Sequence, residues 1–201
     1  MQQTGIFKGR TQVKYPYACY GYNRNSGKTW HGGIDLVGLD DTTVLMPFYK
    51  GQAVQGKVLR ARIVTDKTNK TWEWGYYVCV QLDKAMPDGS RYLYLAHNSK
   101  LLVKAGQRVC SGDALAVMGH TGNAAGSYDH VHLEVRKTAT GKGIDPTHYS
   151  GTDNAAGVYG SAQDDVWATN GPWRIAMATG RDKAALRALC EEKGLTVTAT
   201  T

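Results

Sequence analysis

Apolar and polar residues alternate with a period of two through much of the first 150 positions. The alternation is cleanest at 76–82 (YYVCVQL), 91–97 (RYLYLAH) and 131–136 (VHLEVR). A two-residue period is the mark of a strand with one buried face. β-Branched residues following Gly51 and Gly56 predict a further strand over 53–65, and 107–118 reads as short strands broken at Ser111-Gly112-Asp113. MPDGS at 86–90 places Pro, Asp and Gly between two alternating runs, which predicts a hairpin connection. No stretch before residue 180 repeats its apolar positions at helical spacing. The expected fold class is mainly β: an antiparallel sheet domain over residues 1–150, then a small C-terminal segment, 151–201, with one short helix.

The two ends of the chain depart from this pattern. Residues 1–30 are aromatic and polar, with Tyr15, Tyr17, Tyr20 and Tyr22 close together. They read as an irregular arm whose tyrosines either line a groove or pack a surface segment. Residues 150–165 (SGTDNAAGVYGSAQDD) are small and polar and read as a linker. An apolar stretch, WRIAMA at 173–178, precedes a helix expected from Asp182 as N-cap to Gly194 as its terminator. Ala185, Leu186, Leu189 and Cys190 give that helix one apolar stripe. So short a segment buries little surface by itself. It docks on the first domain, pairs with a second chain, or belongs to a longer module. Trp167 and Trp173 either stack on sugar rings, which would make this a glycan-binding element, or pack the helix.

Charge narrows the partners. The net charge is +7, from 24 Lys and Arg against 17 Asp and Glu. Residues 151–201 hold 5 basic and 6 acidic residues, so the basic excess lies in the first 150. A basic face suits an anionic polymer. No nucleic-acid-binding motif accompanies the charge, so nucleic acid is not an expected partner. No stretch approaches the ~18–20 apolar residues of a membrane span, and membrane insertion is not expected. The opening MQQTGIFKGRTQ lacks the apolar core of a signal peptide. Cys19, Cys79, Cys110 and Cys190 form no CxxC pair, so they read as reduced structural thiols rather than metal ligands.

Candidate chemistry rests on histidines. In His31-Gly-Gly-Ile-Asp35, two glycines disfavour a helix. On an extended segment, positions i and i+4 share a face, so an imidazole and a carboxylate converge. His130-Val-His132 sets two imidazoles about 7 Å apart on one face of a strand, with Val131 and Leu133 on the other. His97 closes the run RYLYLAH. Two imidazoles and a carboxylate suit zinc with one open position for water, and further histidines would serve the nucleophile and the oxyanion. No HExxH is present, so a histidine must act as base. The same donor types also suit Fe(II) in oxygenases, but that reading leaves His97 and His130 without a role.

These residues resemble the lysostaphin-type M23 family of zinc metalloendopeptidases over residues 28–149. HGGID at 31–35 is similar to its HxGxD segment, and 75–97 to its strand pair ending in Tyr-x-x-His. Residues 101–127 are similar to its glycine-rich stretch, and HVHLEV at 130–135 to its HxHxE signature. The resemblance implies an antiparallel sheet with a groove over it. It implies Zn2+ held by His31, Asp35 and His132, with His97 and His130 as the catalytic pair. It implies hydrolysis of cross-links or stem peptides of bacterial peptidoglycan, outside the cell, by a secreted enzyme or by a phage or prophage endolysin. The alternative within the family is a non-catalytic scaffold or activator of wall hydrolases. Tyr128-Asp129 replaces the usual Gly-Pro and adds a charge beside the site, and the long 65–75 segment is expected over the groove. His120 and His148 read as structural, and Glu134 as a support for the metal ligands.

Overall fold

The computed structural model describes residues 5–161 together with three strands at 165–170, 173–178 and 196–199. The first strands are β1 (Thr11–Val13), β2 (Gly21–Arg24), β3 (Thr29–His31), β4 (Ile34–Gly38) and β5 (Thr43–Leu45). The middle of the chain supplies β6 (Gln55–Ile63), β7 (Tyr76–Leu82), β8 (Tyr92–Asn98), β9 (Lys100–Leu101), β10 (Arg108–Cys110) and β11 (Ala114–Val117). Then follow β12 (Val131–Arg136), β13 (Gly143–Ile144), helix α1 (Thr147–Ser150) and β14 (Gly157–Tyr159). The last three strands are β15 (Asp165–Asn170), β16 (Trp173–Ala178) and β17 (Thr196–Ala199).

One antiparallel sheet organises the molecule, in the order β10-β6-β7-β8-β12-β4-β1-β14, with β13 added beside β12. A smaller sheet, β5-β11-β9, shares its core. The alternating runs explain this packing. Val131, Leu133 and Val135 of β12, Leu93 and Leu95 of β8, and Ile34 and Leu36 of β4 are fully buried on one face, with Val44 and Leu115 from the smaller sheet. On β8 the intervening Tyr94 and Ala96 face the other way, into a second small cluster with Tyr77 and Cys79. The opposite face of β12 is left to His132 and Glu134.

The long strands lie where periodicity predicts them. The break at 111–113 turns at Gly112, whose φ is +89°. MPDGS turns at Gly89, and Asp88 Oδ1 accepts from the Ser90 amide at 2.8 Å. Cys19, Cys79 and Cys110 are buried, and no disulfide links them to one another.

Both end segments differ from expectation. The N-terminal arm is part of the fold: Ile6 and Phe7 are fully buried, and β1 pairs with β4 and β14. The stretch that reads as a linker supplies β14. Strands of two to four residues are too short to display a period, so the sequence conceals them. The C-terminal strands form the sheet β16-β15-β17, and the helix expected at 182–194 lies outside the described residues. Among the described residues the one α-helix is α1, a single turn.

Leu133 sits at the centre of the core. Leu133→Ala should lower stability by about 2–5 kcal/mol, transfer loss plus cavity, as read by urea unfolding.

Candidate metal centre

Three adjacent strands place the central residues in a row. His132 of β12 lies opposite Asp35 of β4 on one side and Ala96 of β8 on the other. Directly opposed side chains on one face stand about 5 Å apart at Cβ, so an imidazole and a carboxylate meet by register alone. His31 arrives from the β2–β3 hairpin through Gly32-Gly33. A Cβ on Gly33 would overlap the Leu133 carbonyl and the His132 ring, so a side chain there would push the two strands apart. His31 and Asp35 therefore meet across a bend between two strands, not along one extended segment as their spacing suggested.

His31, Asp35 and His132 offer donor atoms that all lie within 4.8 Å of one another. His31 Nε2 is 3.2 Å from Asp35 Oδ1 and 3.0 Å from His132 Nδ1, and His132 Nδ1 is 2.9 Å from Asp35 Oδ1. A tetrahedral site with bonds near 2.05 Å has edges of about 3.3 Å, so these separations fit one small cation. The hydrogen bonding fits it too. His31 Nδ1 donates to the Cys19 carbonyl at 2.8 Å, which leaves Nε2 with its lone pair. His132 Nε2 is 3.5 Å from Glu134 Oε2, so Nδ1 is the nitrogen left to face Asp35. Glu134 is held in turn by Arg136, at 2.8 Å, and the Arg136 guanidinium lies over the rings of Tyr94 and Trp74.

The ionisation of these groups follows from burial and their neighbours. Burial opposes a charge on Asp35, but its contacts with His132 and His31 outweigh it and hold the carboxyl well below its ordinary range. Burial likewise opposes a charge on His132, yet Asp35 and Glu134 overcome it and push the imidazole up to about 9. His31 goes the other way, lowered chiefly by burial. His97 is lowered to about 3 by burial and by the charges on His132 and His130.

His97 and His130 complete the site. Their ring centroids are 5.0 Å apart, and that of His97 is 6.0 Å from His132. His97 Nδ1 donates to the Thr121 carbonyl at 2.9 Å and His130 Nδ1 to the Tyr128 carbonyl at 2.8 Å. A carbonyl can only accept, so in the neutral form of either ring the lone pair lies on Nε2. A strict two-residue alternation would aim His97 into the core, beside Leu93 and Leu95. Its φ of +66° prevents this. Between the pairs Val78–Leu95 and Tyr76–Asn98 the β8 strand carries one residue more than β7, a bulge that re-aims the ring. The left-handed conformation costs roughly 1–2 kcal/mol for a residue with a side chain.

The five residues line a groove of ≈ 560 Å³. Its walls include Tyr17 from the N-terminal arm, Tyr128 beside His130, and Glu73 and Trp74 from the 65–75 connection, which thus reaches the groove as expected. Asp129 does not: it is exposed and pairs with His120. His120 and His148 lie outside the groove, His148 with Asp88. Arg24 also lines it, 2.8 Å from Asp35 Oδ2. Nothing in the sequence pattern singles out this arginine.

The family model for peptidase family M23 matches residues 29–146, more than half of the chain. The chain belongs to this family. Among solved structures, this M23 chain is similar to the catalytic domain of the prophage-encoded M23 protein EnpA from Enterococcus faecalis. That match has 21% identity over 66% of this chain and 88% of that one, with a TM-score of 0.50. The catalytic domain of the antimicrobial peptidase lysostaphin from Staphylococcus simulans matches at 24% identity over 66% and 86%, TM-score 0.45. LytU matches at 26% identity over 64% and 79%, TM-score 0.48.

Two outcomes follow from the site. With His132 raised to about 9, the ring carries a proton at pH 7 that a metal ligand must lose. Zinc uptake at pH 7 should release about one proton, and affinity should rise up to about tenfold per pH unit until pH reaches that value. Calorimetry in buffers of different ionisation heat measures this; no release would show His132 neutral. Glu134→Gln removes the charge behind His132 and should weaken zinc binding about 10–100-fold, as read by competition with a chromophoric chelator.

Proposed function

We propose that this chain is a zinc-dependent endopeptidase of bacterial peptidoglycan, acting from outside on peptide cross-links or stem peptides. The carrying observation is the cluster of His31, Asp35 and His132 on the groove floor, with His97 and His130 presenting Nε2 beside it. In this reading His31, Asp35 and His132 hold the metal, and His97 and His130 are the catalytic pair.

Zinc at such a donor set lowers the pKa of a water to about 7 and polarises a carbonyl. The protein's own residues do the rest. Asp35 brings negative charge to the floor, and Glu134 steadies the His132 ring. With Nδ1 held by the Thr121 carbonyl, the Nε2 of a neutral His97 is free to accept a hydrogen bond from water. His130 presents its Nε2 to the same volume, and between them the two rings can take a proton from that water and return one to the leaving amine. Both are fixed through Nδ1, so neither needs to reorganise during the reaction. The open groove admits an extended peptide. The basic balance of residues 1–150 favours an anionic wall as partner. Among the described residues no helix is long and apolar enough to cross a membrane.

Purified peptidoglycan of several cross-link types, digested by the zinc-loaded protein and followed by mass spectrometry, tests this. New amine and carboxyl ends should appear, vanish with chelator and return with zinc. His31→Ala or His132→Ala should abolish them. A loaded protein that cuts no wall type would replace this reading with a scaffold or activator of other wall hydrolases.

A further inference from the structure

Arg24 is the one lysine or arginine among the groove-lining residues, and the reading above gives it no task. It ends β2, where the register slips between Tyr22 and Arg24. Its Nη2 lies 2.8 Å from Asp35 Oδ2 and 2.9 Å from His31 Nε2, and its Nε is 3.4 Å from the Tyr17 carbonyl. His31 has committed its proton to Cys19, so Arg24 donates into the His31 Nε2 lone pair. A metal ion on the same site needs that lone pair and the Asp35 charge. A guanidinium is never a ligand, because it stays protonated and has donors only. Arg24 and a metal therefore compete for the His31 Nε2 lone pair, and metal binding frees the Nη2 donor now spent on it, while Asp35 can offer Oδ1 to the metal and keep Oδ2 for Arg24.

A guanidinium with a donor released on the groove wall suits an anion. The other carboxylate lining the groove is that of Glu73. It enters from the β6–β7 connection, whereas Arg24 belongs to the hairpin leading into β4; in the sheet, β7 and β4 flank the β8–β12 pair on opposite sides. Arg24 stays in reach of substrate, since its side chain is 40% exposed against 4% for Asp35. We propose that Arg24 is a specificity residue that binds a free carboxylate of the substrate peptide close to the scissile bond, through the paired donors of its planar fork. Peptides whose acid groups are free are then preferred over the same peptides carrying carboxamides. The displacement step rests on the metallopeptidase reading.

The probe is a synthetic uncross-linked stem tetrapeptide, L-Ala-γ-D-Glu-L-Lys-D-Ala, beside its counterpart with both carboxyl groups as carboxamides. Affinities for the zinc-loaded full chain are measured by calorimetry, with wall digestion run in parallel. The carboxylate form should bind at least about tenfold tighter. Arg24→Gln should bring the ratio to about one, and Arg24→Lys should retain part of it. Zinc affinity of Arg24→Gln, measured by chelator competition, should rise because a competing cation is gone. An unchanged ratio in Arg24→Gln, no binding of either peptide to wild type, or a fall in zinc affinity would each overturn the proposal. The last would show that Arg24 serves only to hold Asp35. A preserved carboxylate preference without cleavage of any wall would instead sink the peptidase reading and leave the subsite standing.

Discussion

The site depends on keeping one carboxylate ionised inside a β-sheet. Asp35 is almost wholly removed from solvent, and a carboxylate in that position is costly unless positive charge or strong donors surround it. His132 and Arg24 supply them within 2.9 Å. Each partner comes from a different strand, so the electrostatic requirement is also a requirement on topology. It is met when β4 lies beside β12, with the β2–β3 hairpin folded back over the junction.

From that junction the remaining architecture follows outward. The core face of β4, β12 and β8 is filled by aliphatic side chains, which fixes the register and leaves the opposite face to chemistry. A slip of one residue would bury His132 and expose Leu133. Behind the His31–Asp35–His132 cluster, Glu134 and Arg136 continue the polar face of β12 and end against Tyr94 and Trp74. A single strand thus carries a candidate ligand, its support and the support's support at two-residue intervals, with core residues between them.

The same regularity made the long strands and the HxH face legible in the sequence. Alternation over six or seven residues locates β7, β8 and β12, and it places His132 opposite the core. Spacing offered Asp35 as a partner of His31, and the motif resemblance joined that pair to His132 and added His97. What escaped has physical causes. β1 and β14 are three residues long and show no period. His97 reaches the groove through a bulge and a left-handed φ, which no alternation announces. Arg24 sits in an aromatic, polar arm with nothing to set it apart from other surface arginines. Asp129 looked like a charge beside the site, yet its carboxylate is taken by His120 on the surface.

The β8 bulge sets His97 by arithmetic rather than by identity. One surplus residue between the Val78–Leu95 and Tyr76–Asn98 pairs decides where the imidazole stands. Removing Ala96 would restore a flat ladder and set the ring opposite Tyr77, one step from where the bulge now holds it, with every other side chain of the site still in place. The strand is therefore more vulnerable to changes in length than to changes in letter. A chimaera or loop graft that respects every motif residue but miscounts this one step would fold around an imidazole displaced from its neighbours.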